Sequence, residues 1–556
     1  MVRRLATLLL FVSGVTLLAD SLEAEELNGG MVVSDHPLAA AVGADILARG
    51  GNAADAAVAT ALASGVVQPA GSGLGGGGFA VISSPNIEDP DRFSVLDFRE
   101  VAPQAASPTM YQGADGVVIE GLSRSGGLAV AVPGEPVGLA RLAQMHGTME
   151  LEALSEGAVR LAIDGFQPTN HLVEAFARRP LQGLFLSGEP RLGGLILRPR
   201  LGEAIVSWAE SGGRSLSEGA LAEDIVSEVV REGGVLTVAD LAGYEPTERE
   251  PILGSYRGYT VVTMPPPSSG GVVLLQALSV LENWNLGELE HNSSEHIHLL
   301  AETFQHAFAD RANHMGDPEF IDVPVERLLS PARIQAIQDS FQPNGTLNRE
   351  AYGDNRGVVD DAGTQHISVL DADGGAVALT TTINTSFGSG VVAPLSGILL
   401  NNEMDDFVSA PGVPNSYGLI GRAENQVEPG KKPLSSMTPT ILLKDGEVVM
   451  VVGASGGPFI ISSTLQVISN VVDFGMTPEE AVSVVRMHHQ WVPELLFLDE
   501  GASLELHQML QEVGHNTQEM AFFSSVQVIS NISGNTLGAA DPRKGGAAVE
   551  ASASER

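Results

Sequence analysis

The chain has no cysteine, so disulfides, thiol catalysis and a lipoprotein anchor are all excluded, even where export would permit them. Positive charge is scarce: 30 Lys and Arg face 68 Asp and Glu, a net of -38. An acidic, solvated exterior of this kind opposes binding to nucleic acid or anionic lipid. Long apolar runs are lacking too, except at the start, where Arg3 and Arg4 precede LATLLLFVSGVTLLA. That run is short for a membrane span and carries its charge where a secretory signal does. Cleavage after Ala24 is expected, giving a periplasmic or secreted protein. Because Arg3, Arg4, Asp20 and Glu23 leave together, the net charge is unchanged.

What is present is enough apolar material for a large core, 44% of 556 residues. Asp35, His36 and Pro37 read as a helix start, with Leu38, Val42 and Ile46 on one face and Gly50–Gly51 as the stop. A second, Ala-rich helix follows, capped by Asn52 with Asp55 in its first turn. The glycines of GSGLGGGGFAVIS have a GxGxxG-like spacing, but a helix precedes them and a strand follows, the reverse of a dinucleotide site. The strand SVLDF then delivers Arg99 at its end. From about Gly134 to Phe341 the pattern is mostly helical, interrupted by the rigid YRGYTVVTMPPPSSGG. His298, Glu302 and His306 fall at i, i+4 and i+8 of one helix, but without a further ligand or second shell this spacing is weak, and a partly exposed helix face accounts for it.

Gln342 to Ala362 is polar and reads as an exposed, flexible segment. After it the pattern changes to strands: HISVLD, AVALTTTI, GILLNN, TPTILLK and EVVMVVG, with Asp-Gly turns at Asp373 and Asp445. Helical runs begin near Phe459 and Pro478, and AAVEASASER reads as a loose tail. A three-residue turn over Ala372, Asp373 and Gly374 sets Thr364 opposite Thr382, with Asn384 further along the same face. An internal Thr is a poor nucleophile. A Thr made N-terminal by cleavage after Gly363 is different, because its own α-amino group, with a reference pKa of about 7.7–8.0, can take the hydroxyl proton.

The chain resembles the γ-glutamyltransferases (γ-glutamyltranspeptidase, glutathione hydrolase) of the N-terminal nucleophile hydrolase superfamily. The resemblance rests on GGNAADAAVA, SGLGGGGF, LDFREVAP, VPGEPVGL, LTVADLAGYEP, MPPPSSGG, FADR with GDPEF, GTQHISVLD, LNNEMDDF, KKPLSSMTPT, GASGG and ADPR, in that order, and covers nearly all of the chain after the leader. It implies an α+β fold, a four-layer αββα sandwich formed jointly by two associated subunits: residues 25–363 and a small catalytic subunit 364–556, with 1–24 as signal. It implies that Thr364 attacks the γ-amide of glutathione or a similar donor and passes the γ-glutamyl group to water, an amino acid or a dipeptide. Thr382 would orient Thr364, and Gly456 and Gly457 would supply oxyanion N–H groups. Arg99, Ser435 and Ser436 would hold the donor α-carboxylate, while Asn384, Glu403 and Asp406 hold its α-amino group. Tyr417, in the lid-like Pro411–Arg422 stretch, would act as a gate. No cofactor and no metal is implied. Gln365 and the Pro458–Phe459 pair depart from the family pattern and bear on acceptor preference and processing rate.

Three other readings compete. Gly453–Ala454–Ser455–Gly456–Gly457 satisfies GxSxG, with Asp499 and His507 or His515 following in serine hydrolase order. A glutaryl or cephalosporin-type acylase would keep the fold and change the substrate. A secreted binding protein without catalysis would leave the chain uncut.

Overall fold

The computed structural model describes residues 29–552 except 87–90, 182, 353–362, 411–412, 421 and 522–523. The expected leader therefore lies outside the described residues, as do most of NRGVVDDAG and part of the lid. No helix among the described residues is long and apolar enough to cross a membrane.

In chain order the strands are β1 (Met31–Ser34), β2 (Gly77–Ser83), β3 (Phe93–Phe98), β4 (Thr247–Arg249), β5 (Ile252–Tyr256), β6 (Tyr259–Thr263), β7 (Thr364–Leu370), β8 (Ala376–Thr382), β9 (Thr440–Lys444), β10 (Glu447–Ser455), β11 (Met487–His488), β12 (Leu496–Asp499), β13 (Thr517–Met520), β14 (Ser525–Ser530), β15 (Leu537–Ala540) and β16 (Ala547–Glu550). A seven-stranded sheet runs β16-β1-β7-β8-β2-β3-β4, a six-stranded sheet runs β15-β14-β10-β9-β6-β5, and β11–β13 form a small third sheet. Both large sheets take strands from before and after Gly363. A cut there would leave two chains woven through the same pair of sheets.

Side-chain alternation places the layers. In β2, Ala80 and Ile82 join one core with the helices Pro37–Ala48 and Ala53–Val67, while Phe79 and Val81 join another with Val261, Ile441, Val451 and Val526 of the second sheet. The helices Gly270–Leu281, Ser294–His314 and Phe459–Val472 cover the far side of that sheet. The order is helix, sheet, sheet, helix, the four-layer αββα sandwich. The two sheets approach closely where β10 crosses β7: a Cβ on Gly453 would meet the His366 ring at 2.3 Å.

The helix Ala53–Val67 is buried on every side, as an interlayer helix built from Ala and Val can be, and Asn52 with Asp55 closes it in a reciprocal capping box. The preceding helix differs from the expectation. Its buried face is Ala39, Ala40, Gly43, Ala44, Ile46 and Leu47, with Leu38 exposed. The small residues win because the two helices lie so close that a Cβ on Gly43 would meet Thr60 Oγ1 at 2.0 Å.

Four other expectations are corrected. GILLNN is a loop that carries the isolated Val392–Leu399 bridge rather than a strand, and Asn401 and Asn402 spend their side chains on neighbouring loops. AAVE is no tail: it is edge strand β16, antiparallel to β1. The segment after Gln342 is not exposed throughout, because Tyr352 turns inward onto Glu302. His298, Glu302 and His306 are all buried rather than partly exposed.

Candidate active site

The β7–β8 hairpin sets the site. Asp371 N donates to Gly375 O across Ala372, Asp373 and Gly374, with Gly374 at φ +87°, so the three-residue turn forms and Thr364 pairs with Thr382. Both side chains face the gap between the sheets, as do His366 and Thr380. Gln365 points the other way and donates to Gln68 O, away from the nucleophile position.

Thr382 is a three-way junction. Its hydroxyl donates to Gly363 O at 2.8 Å, accepts from Asn384 N at 2.8 Å, and lies 3.2 Å from Thr364 Oγ1. With its single proton given to Gly363, it can only accept from Thr364. A side chain at position 363 would press on Ala70 O and Thr385 at 2.7 Å, so this approach requires glycine. On the far side, Lys544 Nζ donates to Thr364 O at 2.8 Å and to Ser455 Oγ at 2.6 Å.

A narrow cavity of about 20 Å³ opens beside the two threonines, lined also by Arg99, Asn384, Glu403, Asp406, Tyr417, Ser435, Ser436 and Gly457. Every site residue expected from the sequence except Gly363 and Gly456 therefore contributes to its wall, and those two adjoin it in the chain. Arg99 donates to Glu403 and, at 2.5 Å, to Asp406, while Glu100 stands 3.7 Å away. Burial opposes the Arg99 charge, yet Glu403, Asp406 and Glu100 together hold its guanidinium above the ordinary range. Three carboxyls surround one guanidinium, and burial, opposed by Arg99, pushes Glu100 up to about 8.

Ser435 and Ser436 are fixed by the Pro-rich loop: Ser435 N donates to Pro267 O, and Ser269 N donates to Ser435 O. Ser435 Oγ accepts from Met437 N, which leaves its own proton available. Arg311 donates to Ser269 Oγ at 2.8 Å and to Ser436 Oγ at 3.4 Å. It has no carboxylate within ion-pair distance among the described residues, and burial lowers it to about 10. Arg311 belongs to the FADR motif, and the resemblance alone assigns it no role. An Arg near the end of a long buried helix was the available signal. Lys544 was missed in the same way, inside ADPRKGG.

Tyr417 places its hydroxyl 2.6 Å from Asn384 Oδ1 and 2.8 Å from Asn384 O. Its ring seals Gly457, where an added Cβ would meet it at 2.8 Å. Gly456 and Gly457 have φ +125° and +57°, between β10 and the helix Phe459–Val472, and neither N–H has an acceptor among the described residues. Two free N–H groups at a helix start suit a developing oxyanion. Phe459 turns into the core and stacks on His488 at 4.0 Å, so Ile460 rather than Phe459 lines the cavity.

The GxSxG alternative does not assemble. Ser455 is held by Lys544 and Ser525 O, Asp499 pairs with Arg543, His507 meets Thr517, and His515 meets His298. No His or Asp reaches Ser455 among the described residues.

Two helix-flanked sheets with a Gly–Thr step at the head of a central strand, facing a charged cavity, are the arrangement of an N-terminal nucleophile hydrolase. The fold agrees with cephalosporin acylase from Bacillus halodurans, at TM-score 0.80 and 27% identity over 97% of this chain and 99% of that one. γ-Glutamyltranspeptidase from Helicobacter pylori aligns at TM-score 0.54 and 37% identity over 56% of this chain and 91% of that one. The chain belongs to the γ-glutamyltranspeptidase family, which it matches over residues 39–551. The glutathione hydrolase proenzyme of Escherichia coli K12 is 39% identical over 527 residues, 92% of this chain and 90% of that protein.

Proposed function

We propose that this chain is a self-cleaving γ-glutamyl transferase/hydrolase that opens the γ-glutamyl amide of glutathione-like donors. The observation that carries the reading is the Thr382 junction, which ties the Thr364 hydroxyl to the Gly363 carbonyl. In the precursor, Thr364 Oγ1 attacks the Gly363 carbonyl carbon and Thr382 donates to the oxygen as it gains charge. The peptide bond becomes an ester, and water releases Thr364 as a new N-terminus. Its α-amino group then serves as the base for its own hydroxyl.

In turnover, the donor's zwitterionic head enters among charges that are already paired with each other. Its carboxylate takes Arg99, Ser435 and Ser436, and its ammonium takes Glu403, Asp406 and Asn384 Oδ1. No charge is left unpaired by the exchange, which keeps the desolvation cost low. Thr364 attacks the γ-carbonyl, Gly456 and Gly457 N–H groups hold the oxyanion, and the amine leaves with the proton. Water or an amine acceptor resolves the γ-glutamyl-threonine ester. A glutaryl head would offer nothing to Glu403 and Asp406, which favours an amino-acid head group. The leader with Arg3 and Arg4 supports export to the periplasm or medium.

Denaturing electrophoresis of purified protein should give two bands, with Thr364 at the start of the smaller. An uncut, inactive wild-type chain, or a Thr364→Ala variant that still matures and turns over, would sink the reading.

A further inference from the structure

The sequence offered His298, Glu302 and His306 on one helix, and the fold rearranges that set. His306 turns to Ser340 Oγ at 3.0 Å and packs on Tyr352, whereas His515 arrives from just beyond the helix Leu504–Glu512. One ligand-type atom each from His298, Glu302 and His515 then lie within 4.8 Å of one another, all three side chains being buried. The geometry points to a divalent metal site of the Zn²⁺ class at His298, Glu302 and His515, away from the catalytic cavity, binding the helix Ser294–His314 to the C-terminal third of the chain.

The surrounding bonds supply what the helical spacing lacked. His298 Nε2 donates to Gln342 O at 2.8 Å, which fixes the tautomer and leaves Nδ1 with its lone pair toward the cluster. A ring N–H anchored on a backbone carbonyl is the usual outer shell of a metal-bound imidazole. His298 Nδ1 and His515 Nε2 lie 2.7 Å apart, with His515 Nε2–H donating to His298 Nδ1. An ion at about 2.0–2.1 Å from each in tetrahedral geometry needs them about 3.3 Å apart, so loading moves that proton from His515 Nε2 to His515 Nδ1 and opens the pair by about 0.6 Å. Glu302 accepts from Gln305 Nε2 at 2.9 Å and Tyr352 hydroxyl at 2.6 Å, which orients the carboxylate and leaves lone pairs for a cation.

The chemistry of the three groups fits a cation as well. No Lys or Arg lies within ion-pair distance of Glu302 among the described residues, so no cation of the chain competes for its carboxylate. Two imidazoles and one carboxylate are a Zn²⁺ set with a fourth position open to water. A surface cleft lined by Trp284, Glu295, Phe341 and Asn344 reaches His298 and gives the ion a path in.

The test uses tag-free, full-length protein, freed of metal with EDTA and titrated with ZnCl₂ by calorimetry, with Co²⁺ spectra in parallel. Wild type should bind one equivalent, show Co²⁺ visible bands of a four-coordinate site, and gain thermal stability with Zn²⁺. His298→Ala and His515→Ala should each weaken binding at least tenfold and lose the thermal gain, while His306→Ala keeps both. γ-Glutamyl release by the variants reports that they are folded. Wild type that binds no more Zn²⁺ than the His298→Ala/His515→Ala double variant, or a site lost equally in His306→Ala, would overturn the proposal and leave a hydrogen-bonded core cluster.

Discussion

The Thr382 hydroxyl donates to the carbonyl oxygen of Gly363 at 2.8 Å, so the donor that would stabilise the precursor's tetrahedral intermediate is in place before any bond breaks. Thr382→Ala removes that donor and the partner of Thr364 Oγ1 together. Loss of one such donor costs about 10²–10³ in rate. Maturation of the variant, followed by denaturing electrophoresis over time, should slow by that order, and Thr382→Ser should recover most of it. Maturation of Thr382→Ala at the wild-type rate would remove Thr382 from the cleavage step.

Lys544 donates to the carbonyl of Thr364, the residue whose new amine is proposed as the base. A cation beside that amine disfavours its ammonium form and so lowers its pKa. Buried Asp35 faces Lys544; burial raises its carboxyl against the pull of Lys544, and Ser525, Gln527 and His366 N donate to it. Asp541 is engaged by Arg486 and Arg543, and His171, also near Lys544, is kept neutral at about 3 by burial. Lys544→Met should therefore move the acid limb of the kcat profile to higher pH, by about one unit or less, and Lys544→Arg should restore it. A fall in kcat with no shift of the limb would mean that Lys544 only packs.

Much of this site could be read from the sequence, and the reasons are local. The hairpin register followed from Ala372–Asp373–Gly374, because turn length alone decides which residues oppose Thr364. Arg99 was legible as the residue delivered by a strand end. Its two carboxylate partners could not be paired with it from composition, since they lie about 300 positions away and meet it only through tertiary packing. Leu38 misled for a related reason: periodicity reports apolar positions, whereas the interhelical gap at Gly43 admits only small ones. His515 was invisible as a partner of His298 because nothing local links a loop after one helix to the face of another.

Glu135 makes stability depend on pH. It is fully buried, and burial, opposed by the Gly73 backbone, raises its carboxyl from 4.5 to about 8. A folded pKa above the unfolded one means the neutral form favours folding. That contribution is complete below about 4.5 and is lost as pH rises toward 8. Glu135→Gln should be more stable than wild type at pH 8.5 by a few kcal/mol, at about 1.4 kcal/mol per pKa unit, and nearly equal at pH 4. Denaturant melts at the two pH values measure this. A gain independent of pH would show that Glu135 does not titrate over the window.

Asp406 separates the substrate classes. It accepts from Arg99 and would accept the donor's ammonium once a donor is bound. A hydrogen bond to a charged group contributes about 1.5–3 kcal/mol, so Asp406→Asn should lower kcat/KM for γ-glutamyl-p-nitroanilide about 10- to 150-fold. Glutaryl-p-nitroanilide has no ammonium to lose, and its carboxylate gains from an Arg99 with one competitor fewer. Its kcat/KM should stay level or rise, and the preference between the two donors should narrow by the product of the changes. Equal losses on both donors would assign Asp406 to holding Arg99 rather than to reading the amino group, and the head-group argument would then rest on Glu403 and Asn384 alone.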